Sequence, residues 1–314
     1  MKNPFFSVII PLYNKENHIQ ATLQSVLAQT FTDFEVIIVD DVSTDNSLNL
    51  VGQVKDERIQ IINHPVNKGL SASRNTGITY AKADMIAFLD ADDLWKPRFL
   101  ERISFLIDAY PDASIFATQY EEFHQRNITV PIKIDRLPVT ENKTYLLDFF
   151  PVNMGKLIVS FSSICIRREV FEKSGMFNEE VTFAEDVDFY IRAFSNNQLA
   201  YYNESLAIYM IYDSQQMSLA GLENRVIPDF DSYEYMAQNR PDIKRFLDFY
   251  RYVMAKHYKL SGDSVNYSKM LRGIRLDSLN YKQRILLYAP IYILKLIKRL
   301  KGALMKKGIN PTSY

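Results

Sequence analysis

The sequence has a single cysteine, Cys165, in 314 residues. One thiol excludes an internal disulfide and any zinc site built on cysteines, and it suits a reducing compartment. Its apolar setting, Ser162-Ser163-Ile164-Cys165-Ile166, reads as structural burial rather than as a nucleophile. The four histidines, His18, His64, His124 and His257, include no pair at metal-ligand spacing, so none is given a metal role. No apolar run spans a bilayer, and Phe6 to Leu12 is too short for the apolar region of a signal peptide. These absences point to a cytoplasmic protein. Net charge is lacking too, with 37 Lys and Arg against 37 Asp and Glu. That balance hides an asymmetry. From Lys244 onward there are 16 basic and 3 acidic residues, so an acidic body precedes a basic tail. The length accommodates one large α/β domain with an appendage.

The feature around which the chain is organised is Met85-Ile86-Ala87-Phe88-Leu89-Asp90-Ala91-Asp92-Asp93. An apolar run of strand length ends in three carboxylates within four positions, as a buried parallel strand does where it leaves its sheet. Three like charges repel, and an isolated buried carboxylate is costly, so a cation among them is expected. A hard divalent ion with oxygen ligands, Mn2+ or Mg2+, meets that need and commonly shares its shell with substrate phosphates. The alternative is a solvated acidic loop in which Asp92 and Asp93 cap a helix beginning near Lys96.

Strand, turn and helix alternate through the first ninety residues. Phe6–Leu12 is a buried strand, and Tyr13 to Asn17 turns into a helix carrying Ile19, Leu23, Val26 and Leu27. Phe34–Val39 is a second strand ending at Asp40-Asp41, with a helix starting at Ser43-Thr44-Asp45. Arg58–Ile62 is a third strand, and Asn67-Lys68-Gly69 opens a helix that runs to about Lys82. This order predicts a mostly parallel sheet with helices on both faces and ligands beyond the carboxyl ends of its strands. Tyr13, Asp40, Asp41, Asp90, Asp92 and Asp93 all fall on that edge. A helix over 96–109 and a strand over 114–118 follow. From Glu121 to Asn153 the pattern is irregular and proline-punctuated, which reads as a variable surface loop. Leu157–Ile166 reads as a strand and Arg167–Ser174 as a helix stopping at Gly175. Glu185, Asp186 and Asp188 then open another helix, where acids complement the helix dipole whether or not they have a further role.

Together these segments resemble the GT-A glycosyltransferases of family 2. The resemblance is carried by Ser7-Val8-Ile9-Ile10-Pro11-Leu12-Tyr13-Asn14, Val39-Asp40-Asp41-Val42-Ser43-Thr44-Asp45, Asn67-Lys68-Gly69 with Ser73-Arg74-Asn75, Asp90-Ala91-Asp92-Asp93, and Glu185-Asp186. It covers about residues 5 to 218. It implies a GT-A, Rossmann-like fold, a nucleotide-sugar donor (usually a UDP-sugar), a Mn2+ or Mg2+ ion, and single-displacement transfer with inversion. Carried onto this chain, Pro11 and Tyr13 wall the base pocket, with Tyr13 either stacking on uracil or lying in the core. Asp41, or its neighbour Asp40, accepts the uracil N3 hydrogen while the other caps the next helix. Arg74 reaches the diphosphate and base, or else is a surface arginine paired with an acid. In the Asp-x-Asp motif, Asp92 is the principal metal ligand, Asp93 assists, and Asp90 contacts the ribose or supports the ligands from behind. Asp186 is the catalytic base and Glu185 orients the acceptor or positions the neighbouring carboxylate, while Asp188, about 200° further around the helix, points elsewhere. One departure concerns a downstream Tyr-Arg-x-His stretch of many relatives. Here Tyr209-Met210-Ile211-Tyr212 stands in its place, without a protein-supplied third ligand, and Tyr212 is a candidate phosphate contact.

Residues 1–220 are therefore expected to form the glycosyltransferase domain and 221–314 a helical, basic C-terminal extension. Ile285 to Ile297, interrupted by Pro290 and Lys295 and followed by Lys298-Arg299-Leu300-Lys301, suits a helix lying in the interface of an anionic membrane, or one packed on the body or a partner subunit. A basic stripe without a recognised binding module does not indicate nucleic acid. The function expected is transfer of a sugar from a nucleotide-sugar to a glycan or lipid-linked acceptor in surface polysaccharide biosynthesis. An inactive nucleotide-sugar-binding scaffold or a nucleotide-sugar hydrolase is the alternative.

Overall fold

The computed structural model describes residues 3–124, 128–132, 137, 143–211 and 222–305. The first half alternates as its pattern predicts: β1 (Phe6–Leu12), α1 (Ile19–Leu27), β2 (Phe34–Asp40), α2 (Ser47–Gly52), β3 (Ile59–Asn63), α3 (Leu70–Tyr80) and β4 (Met85–Phe88). These strands lie side by side in the order β3-β2-β1-β4, all parallel. Every residue of β1, β2 and β4 is buried, as helices on both faces of a parallel sheet require. Within β1 the pleat divides the core in two. Val8 and Ile10 meet Ile19 and Leu23 of α1, while Ile9 on the opposite face packs with Ile78 of α3.

The second half is less regular: β5 (Leu94–Trp95), α4 (Phe99–Ala109), β6 (Ile115–His124), β7 (Ile128–Pro131), β8 (Thr144–Leu147), α5 (Phe149–Val152), β9 (Ile164–Arg167), α6 (Arg168–Ser174), α7 (Glu185–Phe194) and β10 (Leu199–Ile211). The strand β9 runs antiparallel between β4 and β6. Hence β6, and β10 beside it, point the same way as the first four strands, and six of the ten share one direction. The carboxyl ends of β1, β2 and β4 lie on one edge, and the far end of β10 reaches the same edge.

Three expectations are corrected. The stretch 121–153 is not simply a surface loop, since its described residues contribute the end of β6, then β7, β8 and α5, whose Phe149 and Phe150 are core residues, Phe149 stacked on Phe194 and Phe150 edge-to-face with Phe246. The strand expected over 157–166 is confined to Ile164–Arg167. Before it, Phe161–Ser163 form a 3-10 turn in which the Ser163 hydroxyl bonds the Ser160 N–H and carbonyl, and such local bonds compete with a strand ladder. The long strand β10 was not anticipated; its register with β6 shifts twice, between Tyr202 and Ala207, which breaks the two-residue alternation that would mark it.

The C-terminal region contains α8 (Pro241–Ser261), α9 (Ser264–Gly273), α10 (Tyr281–Tyr288) and α11 (Ile291–Met305). Phe246, Leu247 and Phe249 of α8 share one apolar cluster with Phe149, Phe150 and Tyr190. The helix α8 therefore closes one face of the sheet domain rather than standing apart from it.

Candidate donor and catalytic site

Residues carrying charge or hydrogen-bonding capacity converge on the carboxyl edge of the sheet. Pro11 sits in β1 opposite Val39, and Tyr13 just beyond is 48% exposed, which removes the reading of Tyr13 as a core residue. Asn14 adopts a left-handed backbone (φ 51°) and accepts the Thr44 N–H at 2.7 Å, while the Ser47 hydroxyl accepts the Lys15 N–H at 2.7 Å. The loops after β1 and β2 are thus tied together across 29 to 32 residues.

Asp40 and Asp41 are both buried but differently engaged. Asp40 receives the Ser43 N–H at 3.2 Å, closing a turn rather than capping α2. Between them and Ser43, Val42 is held at φ 64°, a conformation costly for a β-branched residue and of the kind found beside functional sites. Asp41 accepts the N–H groups of Lys68 and Gly69, each at 2.7 Å, and faces Nδ1 of His64 at 2.7 Å. It anchors the turn that launches α3, where Gly69 supplies φ 89°.

The acidic triplet lies where β4 ends. Neither Asp92 nor Asp93 caps a helix, since α4 begins at Phe99 with Arg98 before it, so the capping alternative is set aside. Asp92 meets the Lys15 ammonium at 2.5 Å. Asp93 is buried, accepting the Ser162 hydroxyl at 2.5 Å and the Met210 N–H at 2.9 Å. Burial, then the charges of Asp92 and Asp90, raise its carboxyl well above the usual range. The Tyr209 phenol is raised likewise, by burial and then by Asp93, Asp90 and Asp92. Tyr212 lies outside the described residues.

Arg74 connects this triplet to α7. It is not at the surface: the side chain is 3% exposed, with its guanidinium 4.5 Å over the Phe161 ring and 5.3 Å over Phe177. Its Nη2 donates to Asp90 at 3.0 Å and its Nη1 to Glu185 at 3.2 Å. Burial works against this charge, but Asp90, Glu185 and Asp186 outweigh it and hold the pKa above its ordinary value. Beside Glu185, Asp186 accepts the Val187 N–H at 2.8 Å. Burial and then the Glu185 charge push its carboxyl up to about 7, against the pull of that N–H and of Arg74. Ala184, immediately before, is left-handed at φ 61°. Asp188 points away, paired with Arg192 at 2.8 Å and accepting the Tyr233 hydroxyl, as its position around the helix predicts.

Among the described residues no group of three or more His, Cys, Asp or Glu side chains is arranged to hold a metal ion. Two carboxylates nevertheless suit Mg2+ or Mn2+, which bind through one or two protein carboxylates and complete their shell with water and phosphate oxygens. The Lys15 ammonium on Asp92 stands where such a cation's charge would be. The donor set fits that ion. Lys15, Ser162, His64 and the Met210 amide are residues that motif reading passed over. Only Lys15, adjoining Tyr13-Asn14, carries a sequence signal; the others reach the edge through pairing that tertiary contacts decide.

A model of the family described as glycosyl transferase family 2 matches residues 7–175. EpsJ of Bacillus subtilis strain 168, described as an uncharacterized glycosyltransferase, is 30% identical over 210 residues, covering 66% of this chain and 61% of EpsJ. WfgD of Escherichia coli, a UDP-Glc:alpha-D-GlcNAc-diphosphoundecaprenol beta-1,3-glucosyltransferase, is 41% identical over 101 residues, 32% of this chain and 40% of WfgD. The chain thus matches between two-fifths and three-fifths of the length of these relatives. Among solved structures, S. aureus TarS 1-349 in complex with UDP-GlcNAc superposes with a TM-score of 0.68 at 17% identity, covering 97% of this chain and 92% of that one, and shows the shared fold. The family match covers more than half of the sequence and contains the edge residues from Pro11 to Asp93, so this chain belongs to glycosyl transferase family 2.

Proposed function

We propose that this protein is an inverting glycosyltransferase that moves a sugar from a UDP-sugar to a hydroxyl of a glycan or lipid-linked acceptor in surface polysaccharide biosynthesis. The observation that carries this reading is Asp186, a carboxyl raised to about 7 at the start of α7 and joined through Glu185 and Arg74 to the acids at the sheet edge. A base titrating near neutrality is matched to removing a proton from a sugar hydroxyl. In the reaction the acceptor oxygen bonds to the anomeric carbon, its proton passes to Asp186, and the bond to the diphosphate breaks with its electron pair leaving on UDP. Glu185, held by Arg74, orients the acceptor. Pro11, Tyr13, Asp40 and Asp41 form the base side of the donor pocket, and Arg74 and Asp90 border the diphosphate and ribose. Asp92, with Asp93 behind it, would hold the Mn2+ or Mg2+, which supplies positive charge for the departing diphosphate. The name of WfgD, with its UDP-sugar and diphosphoundecaprenol acceptor, and the UDP-GlcNAc complex of TarS support the substrate classes.

Residues 1–220 bind donor and carry the chemistry, and residues 221–314 dock the protein on an anionic membrane. No helix among the described residues is long and apolar enough to cross a membrane. Along α10 and α11, Leu287 and Leu294 turn inward, while Tyr281, Ile285, Tyr288, Tyr292, Leu296 and Leu300 are exposed. Within α10 Tyr281, Ile285 and Tyr288 stand four and three residues apart, and within α11 Tyr292, Leu296 and Leu300 stand four apart, so each helix carries its own exposed row, with Lys295, Lys298 and Arg299 of α11 also exposed. An apolar row flanked by lysines and tyrosines is the chemistry of a helix lying in a lipid interface.

Calorimetry of UDP binding tests the donor site, with Mn2+ and with EDTA, on the wild type and on Asp92→Asn. Tight binding that requires both the metal and Asp92 is expected. Equal affinity for UDP and a purine diphosphate, or indifference to both metal and Asp92, would refute the donor assignment.

A further inference from the structure

His64 is a buried side chain that the reaction outlined above leaves unused. It follows β3 directly, and its backbone N–H donates to the Asp40 carbonyl at 2.9 Å, which carries the β2–β3 ladder to the sheet edge. Its ring lies between two elements: Nδ1 is 2.7 Å from Oδ1 of Asp41, and Nε2 is 2.9 Å from Oγ1 of Thr76 in α3. Both the His64 and Asp41 side chains are 4% exposed.

These partners decide where the protons are. An ionised carboxylate only accepts, so Nδ1 carries hydrogen toward Asp41; the Thr76 hydroxyl, which both donates and accepts, pairs with Nε2 in either protonation state of the ring. Asp41 then receives three donors, His64 and the Lys68 N–H on Oδ1 and the Gly69 N–H on Oδ2. A carboxylate offers about four acceptor positions, two on each oxygen. One remains, on Oδ2, and the three bonds fix its direction. Removing the imidazole would open a second position on Oδ1 and leave the carboxylate held by the Lys68 and Gly69 N–H groups alone.

We propose that His64, braced by Thr76, is a positioning residue for base recognition, holding Asp41 with a single acceptor position open to a ring N–H of the nucleobase. The inference rests on the UDP-sugar reading and adds to it a source of selectivity. Uracil presents N3–H to such an acceptor. Cytosine presents a lone pair at the same ring position, which a fixed carboxylate repels, so the ratio of UDP to CDP affinity reads how well Asp41 is held.

The experiment is calorimetry with UDP and with CDP, in Mn2+, on the wild type, His64→Ala, His64→Asn and Thr76→Val, each with a thermal melt. The wild type should prefer UDP. His64→Ala should weaken UDP about tenfold while CDP changes little, so the ratio falls. His64→Asn, whose amide N–H can donate from near the Nδ1 position, should restore most of the ratio, and Thr76→Val should lower it by a smaller factor. A wild type without preference for UDP refutes the uridine reading itself. A wild-type preference that survives in His64→Ala, or equal losses of UDP and CDP accompanied by a lower melting temperature, leaves that reading intact and overturns the role of His64. If His64→Ala does not fold, Thr76→Val decides the matter, an unchanged ratio there being the overturning result.

Discussion

Arg74 and Glu185 are 111 positions apart in the chain and meet at 3.2 Å, with the same guanidinium holding Asp90 at 3.0 Å. One buried fork therefore ties the end of β4 to the start of α7, and its planar donors match two carboxylates in a way an ammonium does not. Its Nε, also buried, has no hydrogen-bond partner among the described residues, and the Phe161 and Phe177 rings exclude water from it. Arg74→Ala would leave Asp90 and Glu185 without their cation, and a cost of about 3 to 5 kcal/mol is expected. Urea denaturation measures it. Arg74→Lys should recover only part of the loss.

Asp186→Asn should lower transfer by about 10²- to 10⁴-fold while leaving UDP affinity near wild type, since the base acts on the acceptor proton. Initial rates and calorimetry on the same preparation separate the two effects.

The pH dependence follows from the same carboxyl. Asp186 is raised to about 7 in the folded state, and the base must be ionised, so the rate should rise with pH through about 7 rather than near 4. Stability moves the other way. A carboxyl raised on folding favours the folded state fully below its unfolded value near 4, and that contribution is lost as pH rises through about 7. Asp186→Asn should therefore gain on the order of 1 kcal/mol over wild type at pH 8, with the gain vanishing near pH 4. Melting temperatures of both proteins across that range check the sign.

Gly77 lies in α3 where the helix crosses β1. A Cβ there would fall inside the side chain of Ile9, a fully buried core residue. Helix propensity favours alanine over glycine by about 1 kcal/mol, but overpacking costs about 1 to 3 kcal/mol and should dominate. Gly77→Ala is expected to lower the melting temperature, and a rise would show that α3 can shift away from the sheet.

Tyr292→Asp with Leu296→Asp places charge on the exposed row of α11. Cosedimentation with vesicles containing anionic lipid should fall about tenfold or more, because two interfacial apolar contacts are exchanged for repulsion. The melting temperature should stay within a degree or two, since both side chains are exposed.

The first half of the fold was legible in the sequence because each local signal agreed with the whole. Continuous apolar strands such as Val36 to Val39 require cover on both faces, and they alternate with helices carrying apolar residues at helical spacing. The edge acids were legible for the same reason, since Asp40, Asp41 and Asp90 to Asp93 directly follow buried strands. The second half was not. The strand β10 loses its alternation at its register shifts with β6, and Ser160 and Ser163 replace the start of the expected strand with a turn. The burial of Phe149 and Phe150 depends on α8, almost a hundred residues later.

The sequence by itself determined the parallel half of the sheet, the family, and which acids stand at its carboxyl edge, because strand burial and residue order are local properties. Tertiary structure decided what each acid faces. Asp92 meets Lys15, Asp93 meets Ser162 and the Met210 amide, Asp41 meets His64, and Asp90 and Glu185 share Arg74. Charge and hydrogen-bond partners set the protonation and direction of a carboxylate, and those partners come together only when strands and helices distant in the chain close on the same edge.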